Sequence, residues 1–215
     1  MRFDKRSLLL YAVTDRSWLG EKTLAQQVEA SLQGGVTMVQ LREKSLDRES
    51  FRTEGLELKK ICRHYGVPLL INDDVELAWE INAAGVHVGQ EDMEAVRARE
   101  MLGPDKIIGV SAHTVEEALA AQAAGADYLG LGAAFPTGTK DDVDVMPGEV
   151  MRAICEAVDI PCVAIGGIGP QTMPELAGCG LAGVSVVSAI YAADDVRAAA
   201  ERLRALAEKL VGRCG

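Results

Sequence analysis

The stretch Gly34-Gly35-Val36-Thr37-Met38-Val39-Gln40-Leu41-Arg42-Glu43-Lys44 contains the unit from which this chain is built. Before it, Leu24, Val28 and Leu32 recur four residues apart, as on one face of a helix, and the glycine pair is a stop. Met38–Arg42 then reads as a short strand. In an extended chain alternate side chains share a face. Gln40, Arg42 and Lys44 fall on one side, Val39 and Leu41 on the other. The apolar side must meet helices, so the polar side faces the opposite way.

The same unit recurs from end to end. Predicted strands cover Leu8–Val13, Met38–Arg42, Pro68–Ile71, Gly85–Val88, Ile107–Ser111, Tyr128–Leu131, Cys162–Ile165 and Gly183–Val187. Helical periodicity lies between them. Thr114 and Glu117 fit a capping box opening Val115–Ala124. Val196, Ala200, Leu203 and Leu210 mark one face of the last helix. Eight strands and eight helices, with no composition break, predict one α/β domain over residues 1–215, a (β/α)₈ or TIM barrel. A doubly wound open sheet is the runner-up. It normally carries a glycine-rich first turn, which Thr14-Asp15-Arg16-Ser17 is not.

The chain has 215 residues, enough to bury about 70% of its unfolded surface. Its formal net charge of -10 argues against binding nucleic acid or an anionic membrane surface. It leaves room for a small phosphorylated ligand met by a few local cations. The five cysteines include no CxxC pair, which argues against a disulfide framework and a structural zinc site and for a cytoplasmic protein. No run approaches the ~20 apolar residues of a membrane span. A homo-oligomer is left open.

In a (β/α)₈ barrel the chemistry sits at the C-terminal ends of the strands. Arg42 and Lys44 in line suit a pyrophosphate; otherwise Lys44 is solvated and Arg42 pairs with a carboxylate. Asn72-Asp73-Asp74 follows strand 3 and Gln90-Glu91-Asp92 follows strand 4. Neighbouring strands lie about 4.8 Å apart, so Asp73 and Asp92 are placed to share a metal. Oxygen ligands beside a pyrophosphate favour Mg²⁺ over zinc. The competing reading is helix capping by Asp73 or Asp74, with Asp92 favouring the dipole of the next helix. Phe135-Pro136-Thr137-Gly138-Thr139-Lys140 suits a phosphate-gripping loop or an exposed turn. Gly166-Gly167-Ile168-Gly169 and Ser188-Ala189-Ile190 suit a phosphate cradle after strands 7 and 8; a tight turn is the alternative. Of the histidines, His64 reads as surface, His87 as a hydrogen-bonded core residue and His113 as near the barrel mouth.

Taken in order, Tyr11–Asp15, Gly34–Lys44, Ile71–Asp73, Gly85–Asp92, Gly109–His113, Gly125–Tyr128, Phe135–Lys140, Ala164–Ile168 and Val187–Ile190 resemble the thiamine-phosphate synthase (thiamine-phosphate pyrophosphorylase) family over nearly the whole chain. The resemblance implies a TIM barrel that joins 4-amino-2-methyl-5-hydroxymethylpyrimidine pyrophosphate to 4-methyl-5-(2-phosphoethyl)thiazole with Mg²⁺ and releases pyrophosphate. It implies that Gln40, Leu41, Arg42, Glu43, Lys44, Asn72, Ser111 and Lys140 hold the pyrimidine pyrophosphate, with Arg42, Lys44 and Lys140 stabilising the leaving group. Asp73 and Asp92 would ligate Mg²⁺. Thr137, Gly138, Thr139, Gly167, Val187 and Ser188 would hold the thiazole phosphate. The acidic run from Asp141 to Asp144 and Glu149 depart from the family pattern. A thiazole tautomerase would need only the phosphate cradle, whereas a non-catalytic regulatory barrel would lack the clamp residues. Another phosphate-handling barrel, such as a sugar-phosphate isomerase, would share the cradle but not the Asp pair beside a cationic strand.

Overall fold

The computed structural model describes residues 3–89, 95–137 and 144–212. Eight parallel strands close into a barrel in chain order: β1 (Leu10–Val13), β2 (Met38–Leu41), β3 (Leu69–Asn72), β4 (Gly85–Val88), β5 (Ile107–Ala112), β6 (Tyr128–Leu131), β7 (Cys162–Ile165) and β8 (Gly183–Val186). The last strand pairs with the first, Tyr11 standing beside Ser185.

Around them lie α1 (Leu24–Gln33), α2 (Arg48–His64), α3 (Val75–Glu80), α4 (Ala95–Leu102), α5 (Val115–Ala123), α6 (Gly148–Ala157), α7 (Ser188–Tyr191) and α8 (Val196–Val211). The expected one-to-one alternation fails once. Between β7 and β8 the chain makes only a 3-10 turn, Met173–Leu176, while β8 is followed by two helices. Pro174 removes an N–H in this segment, and Gly178 and Gly180 bend the chain just beyond with positive φ. Strand β1 also begins two residues later than expected. Leu8 belongs to a 3-10 turn capped by the Asp4 side chain.

Strand alternation makes two cores. Ala12, Val39, Leu41, Ile71, Val86 and Leu129 face outward and pack under the helices. Tyr11, Val13, Met38, Leu70, Tyr128 and Val163 face inward and fill the barrel. The packing predicted for α8 holds, with Val196, Ala200, Leu203 and Leu210 all buried.

The caps explain where several helices start. Thr114 accepts from the Glu117 N–H, but the Glu117 carboxylate accepts from the His113 N–H, so only half of the expected box forms there. The full capping box stands at α1, where Thr23 and Gln26 serve each other's N–H groups. Thr23→Ala should cost about 1 kcal/mol. In a domain of this size that lowers the melting temperature by roughly 2–4 °C in a thermal scan. No helix among the described residues is long and apolar enough to cross a membrane. Cys62, Cys155, Cys162 and Cys179 are free thiols.

Candidate active site

A cavity of about 240 Å³ opens at the C-terminal ends of the strands. The alternation read from the sequence puts Gln40, Arg42 and Lys44 together on its wall. The exit of β2 is laced to β1 by Thr14, whose main chain donates to the Gln40 carbonyl and whose hydroxyl accepts from the Arg42 N–H. Arg42 has Asp15 4.0 Å away and keeps its guanidinium at the cavity. Lys44 is exposed at the rim.

Leu41 and Glu43 lie in the same segment but do not line the cavity. The Leu41 side chain is buried outward in the layer beneath the helices. The Glu43 carboxylate is held by Arg16 and accepts from the main-chain N–H groups of Lys44 (2.8 Å) and Ser45 (3.1 Å). Burial opposes its ionisation, yet the hydrogen bonds from Arg16 and the two N–H groups hold its carboxyl below the usual range. Arg16 also grips Glu54, whose own carboxyl is pushed up by burial. The side chains of Leu41 and Glu43 therefore support the segment from behind rather than lining the cavity.

The exit of β3 separates the two aspartates that the sequence left ambiguous. Asp74 caps α3 through the Leu77 N–H at 2.7 Å and pairs with Arg48. Asp73 is released from capping and lines the cavity beside Asn72, whose amide donates to its carboxylate. Asp73 sits at φ 63, a left-handed conformation that non-glycine residues rarely adopt, and its N–H is tied to the His87 carbonyl at 2.8 Å. Such a backbone persists where its surroundings over-determine it, commonly at functional sites.

The opposite wall comes from β7 and β8. Gly167, Val187 and Ser188 line the cavity, and Thr137 joins them from the β6 exit. Gly167 has φ 62, and an added Cβ would lie 2.6 Å from the Pro136 carbonyl oxygen. The loop is braced by Thr172, whose hydroxyl donates to the Gly167 carbonyl at 3.0 Å and accepts from the Gly169 N–H at 2.9 Å. Asp92, Gly138, Thr139 and Lys140 lie outside the described residues, as do Asp141 and Asp142 of the acidic run. Asp144 and Glu149 are exposed.

The cavity floor holds what the sequence reading missed. Gln40 donates to the Tyr11 hydroxyl, which lies 2.9 Å from the Tyr128 hydroxyl. Tyr128 in turn is 2.8 Å from Nδ1 of His87, and Nε2 of His87 is 3.0 Å from Ser111 Oγ. His87 is thus hydrogen-bonded, as expected, but it also lines the cavity, as do Ser111 and His113. His64 is at the surface. The available signal was the inward parity of Tyr11, together with glycines inside β5 and β6. A Cβ on Gly109 would lie 2.1 Å from the Tyr128 ring, and one on Gly130 would lie 3.0 Å from the imidazole.

Among the described residues no group of three His, Cys, Asp or Glu side chains gathers as a metal cage. Asp73 and Asn72 offer oxygen at the cavity beside two cations. That donor set fits Mg²⁺, which is typically held by one or two carboxylates, waters and substrate phosphates.

The chain is similar to known proteins over most of its length. A model of the family described as thiamine monophosphate synthase matches residues 10–190. The chain is 50% identical over 196 residues to a thiamine-phosphate synthase of Methanobrevibacter smithii, covering 91% of this chain and 93% of the relative. It is 48% identical over 188 residues to one of Clostridium acetobutylicum, covering 87% and 89%. Among solved structures, a thiamine phosphate pyrophosphorylase from Pyrococcus furiosus superposes with a TM-score of 0.88 at 39% identity, covering 97% of this chain and 99% of that one. A barrel of matching topology, a family model spanning most of the sequence and relatives near half identity lead to one conclusion: the chain belongs to the thiamine monophosphate synthase family.

Proposed function

We propose that this barrel condenses 4-amino-2-methyl-5-hydroxymethylpyrimidine pyrophosphate with 4-methyl-5-(2-phosphoethyl)thiazole to give thiamine phosphate and pyrophosphate. One observation carries the reading. A single cavity has Gln40, Arg42, Lys44, Asn72 and Asp73 on one wall and Gly167 with Ser188 on the other. Two anions, one on each ring substrate, match two walls.

Arg42 and Lys44 meet the pyrophosphate, with Lys140 as a third cation from the β6 loop. Asp73, with Asp92, would hold Mg²⁺, which when bound would supply extra neutralisation of pyrophosphate charge. The C–O bond between the pyrimidine methylene and the pyrophosphate breaks, and its electron pair leaves with the pyrophosphate. The electron-rich aminopyrimidine carries the positive charge left on the methylene. The thiazole nitrogen donates its lone pair to form the new C–N bond, so no protein nucleophile is required. The chain's contribution is charge stabilisation and positioning. The Gly166–Gly167 loop, with the Gly167 carbonyl already engaged by Thr172, offers main-chain N–H groups to the thiazole phosphate. Thr137, Gly138, Thr139, Val187 and Ser188 complete that cradle. Gln40, Asn72 and Ser111 orient the pyrimidine.

The test mixes both substrates with Mg²⁺ and the purified chain. Thiamine phosphate and pyrophosphate should appear together in equal amounts. Isomerisation of the thiazole alone, or binding without turnover, would refute the assignment. Adding a chelator should abolish turnover, and excess Mg²⁺ should restore it; a full rate in chelator would remove the ion from the reaction.

A further inference from the structure

The chain from Gln40 through Tyr11, Tyr128 and His87 to Ser111 crosses the barrel and joins the two sides of the pyrimidine wall. It is built into the fold. Tyr11 and Tyr128 are fully buried, and the ring of Tyr128 occupies the space that Gly109 leaves by having no side chain. Burial pushes the pKa of both phenols up, so each keeps its single proton. With one proton per phenol, a Tyr128 hydroxyl that donates to His87 can only accept from Tyr11, and Tyr11 can then only accept from Gln40.

Two directions exist. In the first, the Gln40 amide donates to Tyr11, Tyr11 to Tyr128, Tyr128 to Nδ1 of His87, and Nε2–H of His87 to Ser111. In the second, Ser111 donates to His87, every link reverses, and the amide must turn its oxygen to Tyr11. The directions differ in what Gln40 offers the cavity. In the first it retains one N–H and its carbonyl oxygen. In the second it shows the NH₂ group, two donors. A ring nitrogen beside an amino group presents one acceptor and one donor. A side-chain amide pairs with that edge bidentately, as Asn and Gln do with adenine.

We propose that Tyr11, Tyr128 and His87 are positioning residues that run in the first direction and lock the Gln40 amide as a donor–acceptor pair for the amino edge of the pyrimidine substrate. The proposal rests on the reaction assigned above. It makes ring recognition depend on three side chains behind the one that touches the ring.

The chain has three histidines, so the full-length protein labelled with ¹⁵N at histidine gives a tractable long-range ¹H–¹⁵N spectrum. His64→Gln and His113→Gln identify the His87 signals. The expected state is protonated at Nε2 and bare at Nδ1. A ring protonated at Nδ1, or at both nitrogens, overturns the proposal. Kinetics supply the second arm. Tyr128→Phe and, independently, Tyr11→Phe should raise KM for the pyrimidine pyrophosphate about tenfold, the scale of one lost hydrogen bond. KM for the thiazole phosphate should stay within about twofold of wild type on the same scale. The pyrimidine pyrophosphate lacking its amino group, used as a competitive inhibitor, should bind wild type and the variants alike. Folded variants that leave the pyrimidine KM unchanged, or that raise both KM values equally, overturn the proposal. If both variants fail to fold, the wild-type tautomer still decides. Wild-type protein that makes no thiamine phosphate sinks the assigned reaction instead, whatever the tautomer.

Discussion

Replacing Lys44 by alanine lowers kcat by roughly 10²- to 10³-fold and leaves the barrel intact. The size follows from removing one preorganised charge from a site where charge develops, about 2.7–4 kcal/mol of barrier. The tolerance of the fold follows from position. The Lys44 side chain is exposed at the rim, and its main-chain N–H is fixed by the Glu43 carboxylate at 2.8 Å, which the substitution does not touch. Steady-state turnover should collapse while the melting temperature and far-ultraviolet circular dichroism match wild type. Wild-type turnover in this variant would take Lys44 out of the mechanism.

Gly109→Ala should strongly destabilise the barrel. One methyl group there would lie 2.1 Å from Cζ and 2.3 Å from the hydroxyl of Tyr128. The ring has little freedom to retreat, because its hydroxyl is tied to Tyr11 and His87. Overpacking of a core costs about 1–3 kcal/mol, and this contact belongs at or beyond the upper end. The melting temperature should fall by about 6–12 °C. Placing the same substitution in a Tyr128→Leu background, which lacks the obstructing atoms, should shrink the penalty in a double-mutant cycle. Equal penalties in both backgrounds would show that the clash is not with this ring.

The strands were legible because each is a short apolar run between residues that break it. Seven of the eight expected strands match the observed spans to within a residue at either end, and β1 loses only Leu8 and Leu9 to the turn before it. Side-chain parity then brought Gln40, Arg42 and Lys44 to one wall. Parity also turns the side chains of Leu41 and Glu43 away from that wall, while the family resemblance implies the unbroken segment Gln40 to Lys44. The partner of Glu43 is Arg16, 27 residues away, and no local pattern announces such a pair. The same holds more strongly for Tyr11 and Tyr128, 117 residues apart and joined only once the barrel closes. Asp73 and Asp74 were indistinguishable as neighbours. The backbone turn at Asp73 and the pairing of Asp74 with Arg48 decide between them. A helix between β7 and β8 was expected from the repeat itself, and the short Pro174-containing turn shows how far a repeat can be trusted when one unit is abbreviated.

That abbreviated connection shifts work onto α8, which packs against α1, the Met173–Leu176 turn, β8 and β1. The final helix thus shields ground that two helices would otherwise share, and it seals the seam where the first strand meets the last. During synthesis on the ribosome, the early strands emerge with an open edge and no partner for β1. The barrel cannot shut until β8 has emerged to pair with β1, so that edge stays open while the other strands are made.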